Sequence, residues 1–235
     1  MTHNHKNLKL KICTFNSDLK FRQSDQIFSH TNFFRSKDQR FDIICLQETG
    51  LLADPSEIPS DLLNKYTLYT NYEKQKKTRR TPNFSTAILL SPRIQKYFLK
   101  SIDHPSGRAT AVTFQFQSST LCVINVYFPS GLQTGGKALS TSCPKYLTGI
   151  ELCDFVSELQ EKHTHTIVCG DFNECHNDER NPVGKFPPPQ FLPRLVSETL
   201  NDCSREIDSH THFYRCRFKG EHRSSKLDRF LFSGA

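Results

Sequence analysis

Four times in this chain of 235 residues, a short apolar run meets an acidic or amide cluster at its end. CTFNSD ends such a run with Asn16 and Asp18, and CLQET ends one with Glu48. VCGDFNE ends one with Asp171 and Asn173, and SSKLDRFLF opens one at Asp228. An ionised carboxylate is costly to bury unless a cation or hydrogen bonds compensate it. One strand-end Asp or Glu is usually a turn or cap residue, but four in one chain outweigh that reading. Gathered together, they suit a hard cation such as Mg²⁺, which takes oxygen ligands. A phosphate ester is the usual substrate of such a site, because the cation offsets its charge. Asn side chains add neutral donors for phosphate oxygens without adding repulsion.

The clusters sit in a layered α/β pattern. Strands are expected at Leu8 to Phe15, Asp42 to Gln47, Tyr66 to Asn71, Phe84 to Leu90, Ala109 to Phe116 and Thr120 to Tyr127. Three more are expected at Thr166 to Cys169, Thr211 to Phe218 and Lys226 to Phe232, all rich in apolar, β-branched or aromatic residues. Helices are expected at Ser24 to Lys37, Ser56 to Leu63, Leu147 to Lys162 and Phe191 to Leu200. Lys74 to Asn83, Pro129 to Ser142 and the proline-rich Asn177 to Pro189 read as loops. There is no internal repeat or domain-sized linker, so residues 1–7 are expected as a frayed start and 8–235 as one domain.

The net charge of +7 favours an acidic partner over a basic one. The nine cysteines are odd in number and contain no CxxC. Cys45, Cys122 and Cys169 lie in apolar runs, where a thiol behaves as a small hydrophobe. Nothing at the start reads as a signal peptide, so a reducing, intracellular setting is expected. A zinc site would have to use Cys203, His210, His212 and Cys216, whose spacing fits no standard zinc motif. No stretch is apolar and long enough to span a bilayer, so no membrane partner is expected.

Five segments, in order, resemble the endonuclease/exonuclease/phosphatase superfamily. They are KICTFNSDL at Lys11 to Leu19, LQET at Leu46 to Thr49, NVYFP at Asn125 to Pro129, GDFN at Gly170 to Asn173 and SKLDRFLF at Ser225 to Phe232. Their style is that of apurinic endonucleases and of the endonucleases of non-LTR retrotransposons. The resemblance implies a four-layer α/β/β/α sandwich of two mainly antiparallel sheets, with the site at one end. It implies Mg²⁺, or Mn²⁺ in its place, held by Glu48 with Asp18 and Asn16 in or near the metal shell. Asp171 would orient or deprotonate the attacking water, Asn173 would hydrogen-bond the scissile phosphate, and Tyr127 would position it or stabilise charge. Asp228 would lie on the strand leading to the last catalytic motif, with Ser225 beside it on the substrate side.

That last motif, S-D-H on a further strand, does not occur before Ala235. The expectation is therefore a fragment of a longer protein lacking the C-terminal strand, or a decayed copy. The five intact segments favour the fragment. DNA is the expected partner, with a nicking reaction of retroelement type. A reverse transcriptase would be covalently linked in a longer parent, and the location would be nuclear, or cytoplasmic for another parent. Oligomeric state is not legible. Lys74, Lys76, Lys77, Arg79 and Arg80 form a basic run suited to backbone phosphates, or to an ordinary solvated loop. Arg108, after Gly107, is read as a phosphate contact or as one half of a surface salt bridge. Two rival readings remain: a phosphatase or phosphodiesterase acting on a lipid or small phosphoester, and a catalytically dead DNA-binding remnant.

Overall fold

The computed structural model describes residues 9–16, 41–49, 64–72, 85–130, 140–174, 189–196, 200–203 and 228–233, and the backbone of 214–218 and 221–225. Two sheets face each other. The first holds β1 (Ile12–Asn16), β2 (Ile43–Gln47), β3 (Thr67–Tyr72) and β4 (Ser85–Leu90), in the order β1-β2-β4-β3. The second holds β5 (Phe98–Asp103), β6 (Ala109–Phe116), β7 (Ser119–Tyr127), β8 (His165–Asp171), β9 (Leu200–Asp202) and β12 (Asp228–Ser233), in the order β5-β6-β7-β8-β12-β9. A separate hairpin pairs β10 (Tyr214–Phe218) with β11 (Glu221–Ser225). Helices are α1 (Pro92–Gln95), α2 (Pro144–Glu161) and α3 (Leu192–Leu195). Each sheet has one parallel pair, β1 with β2 and β7 with β8; the other pairings are antiparallel.

Alternation along the strands decides which residues meet. On β7, Leu121 and Val123 join Ile43, Cys45, Ile88, Leu90 and Cys169 between the sheets. Cys122, Ile124 and Val126 face the other way and pack with Leu152, Cys153, Val156 and Leu159 of α2. Those α2 positions, with Gly149, recur at helical spacing and give the helix its single buried face. The third apolar group, Ile44, Leu46, Ala87 and Leu89, lies on the outer face of the first sheet. Cys45, Cys122 and Cys169 are buried free thiols, as their apolar surroundings require. Among the described residues, no helix is long and apolar enough to cross a membrane.

The boundaries shift for local reasons. β1 starts at Ile12 and not Leu8, because the Lys11 N–H is taken by the Asp42 carboxylate at 2.8 Å. Asp42 stays outside β2 because Arg93 grips it through two nitrogens, at 2.7 and 2.5 Å. α2 begins three residues earlier than its apolar periodicity indicates, with Pro144 at its start, where a missing N–H costs nothing. The helix expected over Phe191 to Leu200 reduces to Leu192–Leu195, and Leu200 opens β9. There β9 pairs with β12, and Asp202 meets the fully buried Arg229 guanidinium at 2.5 Å. Three strands escaped the pattern. β5 is an edge strand with a mostly exposed face, β9 has three residues, and β11 is polar throughout. The expected helices at Ser24 to Lys37 and Ser56 to Leu63 lie outside the described residues.

Gly170 is required by packing. Its φ is +142°, and a Cβ there would lie 2.0 Å from the Val126 carbonyl oxygen. That oxygen belongs to the neighbouring strand and cannot retreat without opening the β7–β8 ladder. Gly170→Ala is therefore expected to cost more than about 4 kcal/mol, because overpacking and backbone strain add. Thermal or urea denaturation measures it; a loss under about 1 kcal/mol would mean that the two strands separate easily.

Candidate active site

The residues of interest collect at one end of the inter-sheet layer. Asn16, Tyr127 and Asp171 are the last residues of β1, β7 and β8, and Glu48 directly follows β2. Asp228 opens β12, which runs antiparallel to β8, so its Cα stands opposite that of Asp171. On β1, β7, β8 and β12 the site residues continue the alternation that points inner-face residues toward the facing sheet.

Asn16 joins the two sheets. Its Nδ2 donates to Glu48 Oε1 and to Asp171 Oδ2, each at 2.9 Å. One amide nitrogen therefore holds a carboxyl from each sheet in a single pocket. The other Asp171 oxygen accepts the Asn173 main-chain N–H at 2.8 Å, and the Asn173 side-chain amide donates to the Phe128 carbonyl at 2.8 Å. Glu48 and Asn173 both have left-handed backbone, with φ of 48° and 49°. Asn tolerates that region and Glu does so rarely; such conformations persist where the surroundings impose them.

The electrostatics favour protonated acids. Burial pushes Asp171 up to about 6; the hydrogen bonds from Asn16 and Asn173 oppose this, and the Glu48 charge adds to it. Burial, and then the Asp171 charge, push Asp228 up to about 7. Asp228 Oδ1 is enclosed with no hydrogen-bond partner among the described residues. Burial raises the Tyr127 phenol most, followed by its hydrogen bond with Glu48 and the charges of Glu48 and Asp171; Arg108 partly offsets them. Tyr127 is thus a neutral donor across the physiological range.

These side chains suit a divalent cation. They present carboxyl oxygens, one of them buried without a hydrogen-bond partner among the described residues, and their mutual repulsion is the kind a cation relieves. Among the described residues no group of three or more His, Cys, Asp or Glu side chains is placed to hold a metal ion together. Mg²⁺ does not need such a group, since it is usually held by one or two carboxylates with water and substrate phosphate completing its shell.

Arg108 corrects the surface reading. It is buried, its Nη1 donates to the Tyr127 carbonyl at 3.2 Å, and its guanidinium lies 5.0 Å from the Tyr127 ring centre. The turn before it is held by Asn71, which donates to the carbonyls of His104 and Ala109 at 2.6 and 2.8 Å. Asp18, Lys74, Lys76, Lys77, Arg79, Arg80 and the Ser225 side chain lie outside the described residues. Gln47, Asn125 and Glu174 were not singled out from the sequence. Gln47 Nε2 donates to Asn125 Oδ1 at 2.5 Å and to Thr14 Oγ1 at 2.9 Å. Asn125 Nδ2 donates across the gap to the carbonyls of Leu46 and Ala87, at 2.8 and 2.9 Å. A polar amide inside an apolar run such as LCVINVYF was the available signal, because it needs buried partners.

The chain belongs to the endonuclease/exonuclease/phosphatase family, whose model matches residues 21–235. Members of this family are phosphoester hydrolases and generally depend on a divalent metal. No curated protein matches the sequence. Among solved structures, the fold is similar to that of the 3′ phosphatase NExo from Neisseria bound to product DNA hairpin. The identity is 21%, covering 96% of this chain and 87% of that one, with a TM-score of 0.63. AP endonuclease LMAP from Leishmania major is 15% identical, over 96% of this chain and 79% of that one, with a TM-score of 0.65. The Xenopus laevis APE2 catalytic domain is 16% identical, over 95% and 82%, with a TM-score of 0.61.

The raised carboxyls set a pH dependence. A group whose folded pKa exceeds its unfolded value favours folding below the unfolded pKa, near 4, and loses that contribution as pH rises through the folded one. For Asp171 and Asp228 the loss falls between about pH 4 and 7. Without divalent cations, the contribution of Asp228 to stability is therefore expected to fall from pH 5 to pH 8. Asp228→Asn, which cannot ionise, should show a smaller fall in Tm over that range and a higher Tm than wild type at pH 8. Parallel Tm curves for the two proteins would refute the burial of an Asp228 charge.

Proposed function

We propose that this chain hydrolyses phosphodiester bonds in DNA with Mg²⁺ or Mn²⁺, as a nicking endonuclease of retroelement type acting on nuclear DNA. The reading takes residues 8–235 as one domain. The observation that carries the hydrolytic reading is the Asn16 amide, shared by Glu48 and Asp171 at the joint end of both sheets. DNA is favoured by the net charge of +7, by the basic run from Lys74 to Arg80, and by similarity to a 3′ phosphatase bound to a DNA hairpin and to an AP endonuclease.

Glu48 would hold the cation, with Asp18 in the same role and Asn16 fixing the Glu48 carboxyl. When bound, the cation offsets phosphate charge and stabilises the charge that develops on the phosphoryl oxygens. Asp171 orients the attacking water and takes its proton; with both oxygens engaged by Asn16 and Asn173, its direction is set before substrate arrives. Asn173 donates to the scissile phosphate, and the neutral Tyr127 phenol turns its single O–H from Glu48 to the same group when the phosphate arrives. Arg108 steadies Tyr127 from behind and brings positive charge toward the phosphate. Asp228, opposite Asp171, keeps that end of the pocket acidic.

Conversion of supercoiled plasmid to nicked circles in Mg²⁺ tests this reading. Asp171→Asn is expected to lower the rate by roughly 10²–10⁴-fold, the usual worth of a general base, with folding retained. Increasing salt should weaken DNA binding steeply. Wild-type nicking by Asp171→Asn would remove it from the mechanism. Cleavage of a small phosphoester with no nicking would move the substrate away from DNA. DNA retention without any cleavage in Mg²⁺ would mark a binding remnant.

A further inference from the structure

We propose that Glu174 is a positioning residue for Asn173 and Asp171, acting through the main chain and touching neither substrate nor cation. The inference rests on the roles just given to Asn173 and Asp171. Glu174 is fully buried. One carboxyl oxygen accepts the N–H of Gln190, and the other accepts those of Phe191 and Leu192, each at 2.9 Å. These main-chain groups lie at the start of α3, where N–H groups lack partners within the helix. The chain thus leaves the site at Glu174 and is fastened to that same side chain on its return.

The fastening closes a ring of contacts around Asn173. The Phe191 ring lies 5.8 Å from that of Phe128 and 5.5 Å from that of Tyr146. It also fills the space beside Gly149, where a Cβ would stand 2.4 Å from the ring. Phe128 in turn stacks on Phe172, at 5.5 Å with 12° between planes. The Phe128 carbonyl accepts the Asn173 side-chain amide. From Glu174 the path therefore runs through Phe191 and Phe128 to the Asn173 amide, and one peptide bond completes it.

Asn173 sits in left-handed backbone between two anchors: the Asp171 carboxyl on its own N–H, and the Glu174 carboxyl on the 190–192 segment. Loss of the second anchor frees this turn to relax toward commoner backbone angles. The Asn173 amide then leaves its direction, and Asp171 loses a donor. An apolar residue at 174 would fill the space but leave three N–H groups without this acceptor.

The test compares the full chain with Glu174→Gln, which keeps the volume, and with Glu174→Ala. Residue-resolved amide exchange and plasmid-nicking kinetics per folded molecule are the readouts. Exchange at Phe191, Leu192 and Asn173 should quicken together by about tenfold or more, while β8 amides keep their protection. The kcat should fall by about tenfold or more with KM nearly unchanged, because the lost geometry serves the reacting phosphate and not DNA binding. Glu174→Gln should be the milder variant. Quickened exchange at Phe191 and Leu192 with Asn173 exchange and kcat at wild-type values would overturn the proposal, leaving Glu174 as a plain loop anchor. Should Glu174→Ala fail to fold, Glu174→Gln decides alone. If even the wild-type chain nicks nothing, exchange at Asn173 still decides the positioning, and only the hydrolytic reading falls.

Discussion

Amide side chains hold the two sheets at a fixed offset, and the acidic pocket depends on that offset. Asn125 spends both of its N–H bonds on carbonyls of the facing sheet, Leu46 on β2 and Ala87 on β4, while its oxygen accepts Gln47. Asn71 does the same at the sheet margin with the carbonyls of His104 and Ala109. Thr86 and Thr110 meet hydroxyl to hydroxyl at 2.8 Å in the same layer. Apolar packing has no preferred direction, whereas these bonds fix register to tenths of an ångström. Asn125 precedes Tyr127 by two residues, and Leu46 precedes Glu48 by two, so the pin lies directly beneath both.

The inter-sheet space is therefore graded. Ile43, Cys45, Ile88, Leu90 and Val123 fill one end. A hydrogen-bonded belt of Thr14, Gln47, Asn125, Thr86 and Thr110 follows. Glu48, Asp171 and Asp228 close the other end, where Asn16 hydrogen-bonds carboxyls of both sheets. The gradient seats the carboxyl groups at the polar end of the layer, where Asp171 is buried but hydrogen-bonded through both oxygens. It also leaves them repelling one another, with Asp171 and Asp228 pushed upward by burial and by neighbouring charge. A cation and a phosphate together would relieve that strain: the cation neutralises the acids, and the phosphate supplies the oxygens that complete its shell.

Much of this was legible in the sequence, for identifiable reasons. Ala109–Phe116 matched residue for residue, because a long alternating run with β-branched residues has few other ways to fold. Glu48, Asp171 and Asn173 stood out because polar groups ended runs that were otherwise wholly apolar. β5 did not stand out, since FLKSID exposes most of its length, nor did β11, which pairs through main-chain bonds that composition does not encode. Arg108 looked like a surface cation because nothing local shows that its guanidinium folds back under Tyr127. Glu174 was invisible for the same reason: its partners lie sixteen to eighteen residues away, and only the tertiary fold brings them to it.

The proposed function rests on one pocket at which acids of both sheets would face a shared cation. Crystals of the full chain soaked in Mn²⁺, with anomalous differences recorded at the manganese edge, address this directly. The account predicts a peak within bonding distance of the Glu48 carboxyl, on the side facing Asp171 and Asn16. A saturating soak that leaves this position empty, or that places manganese only at sites away from the sheet ends, would contradict it.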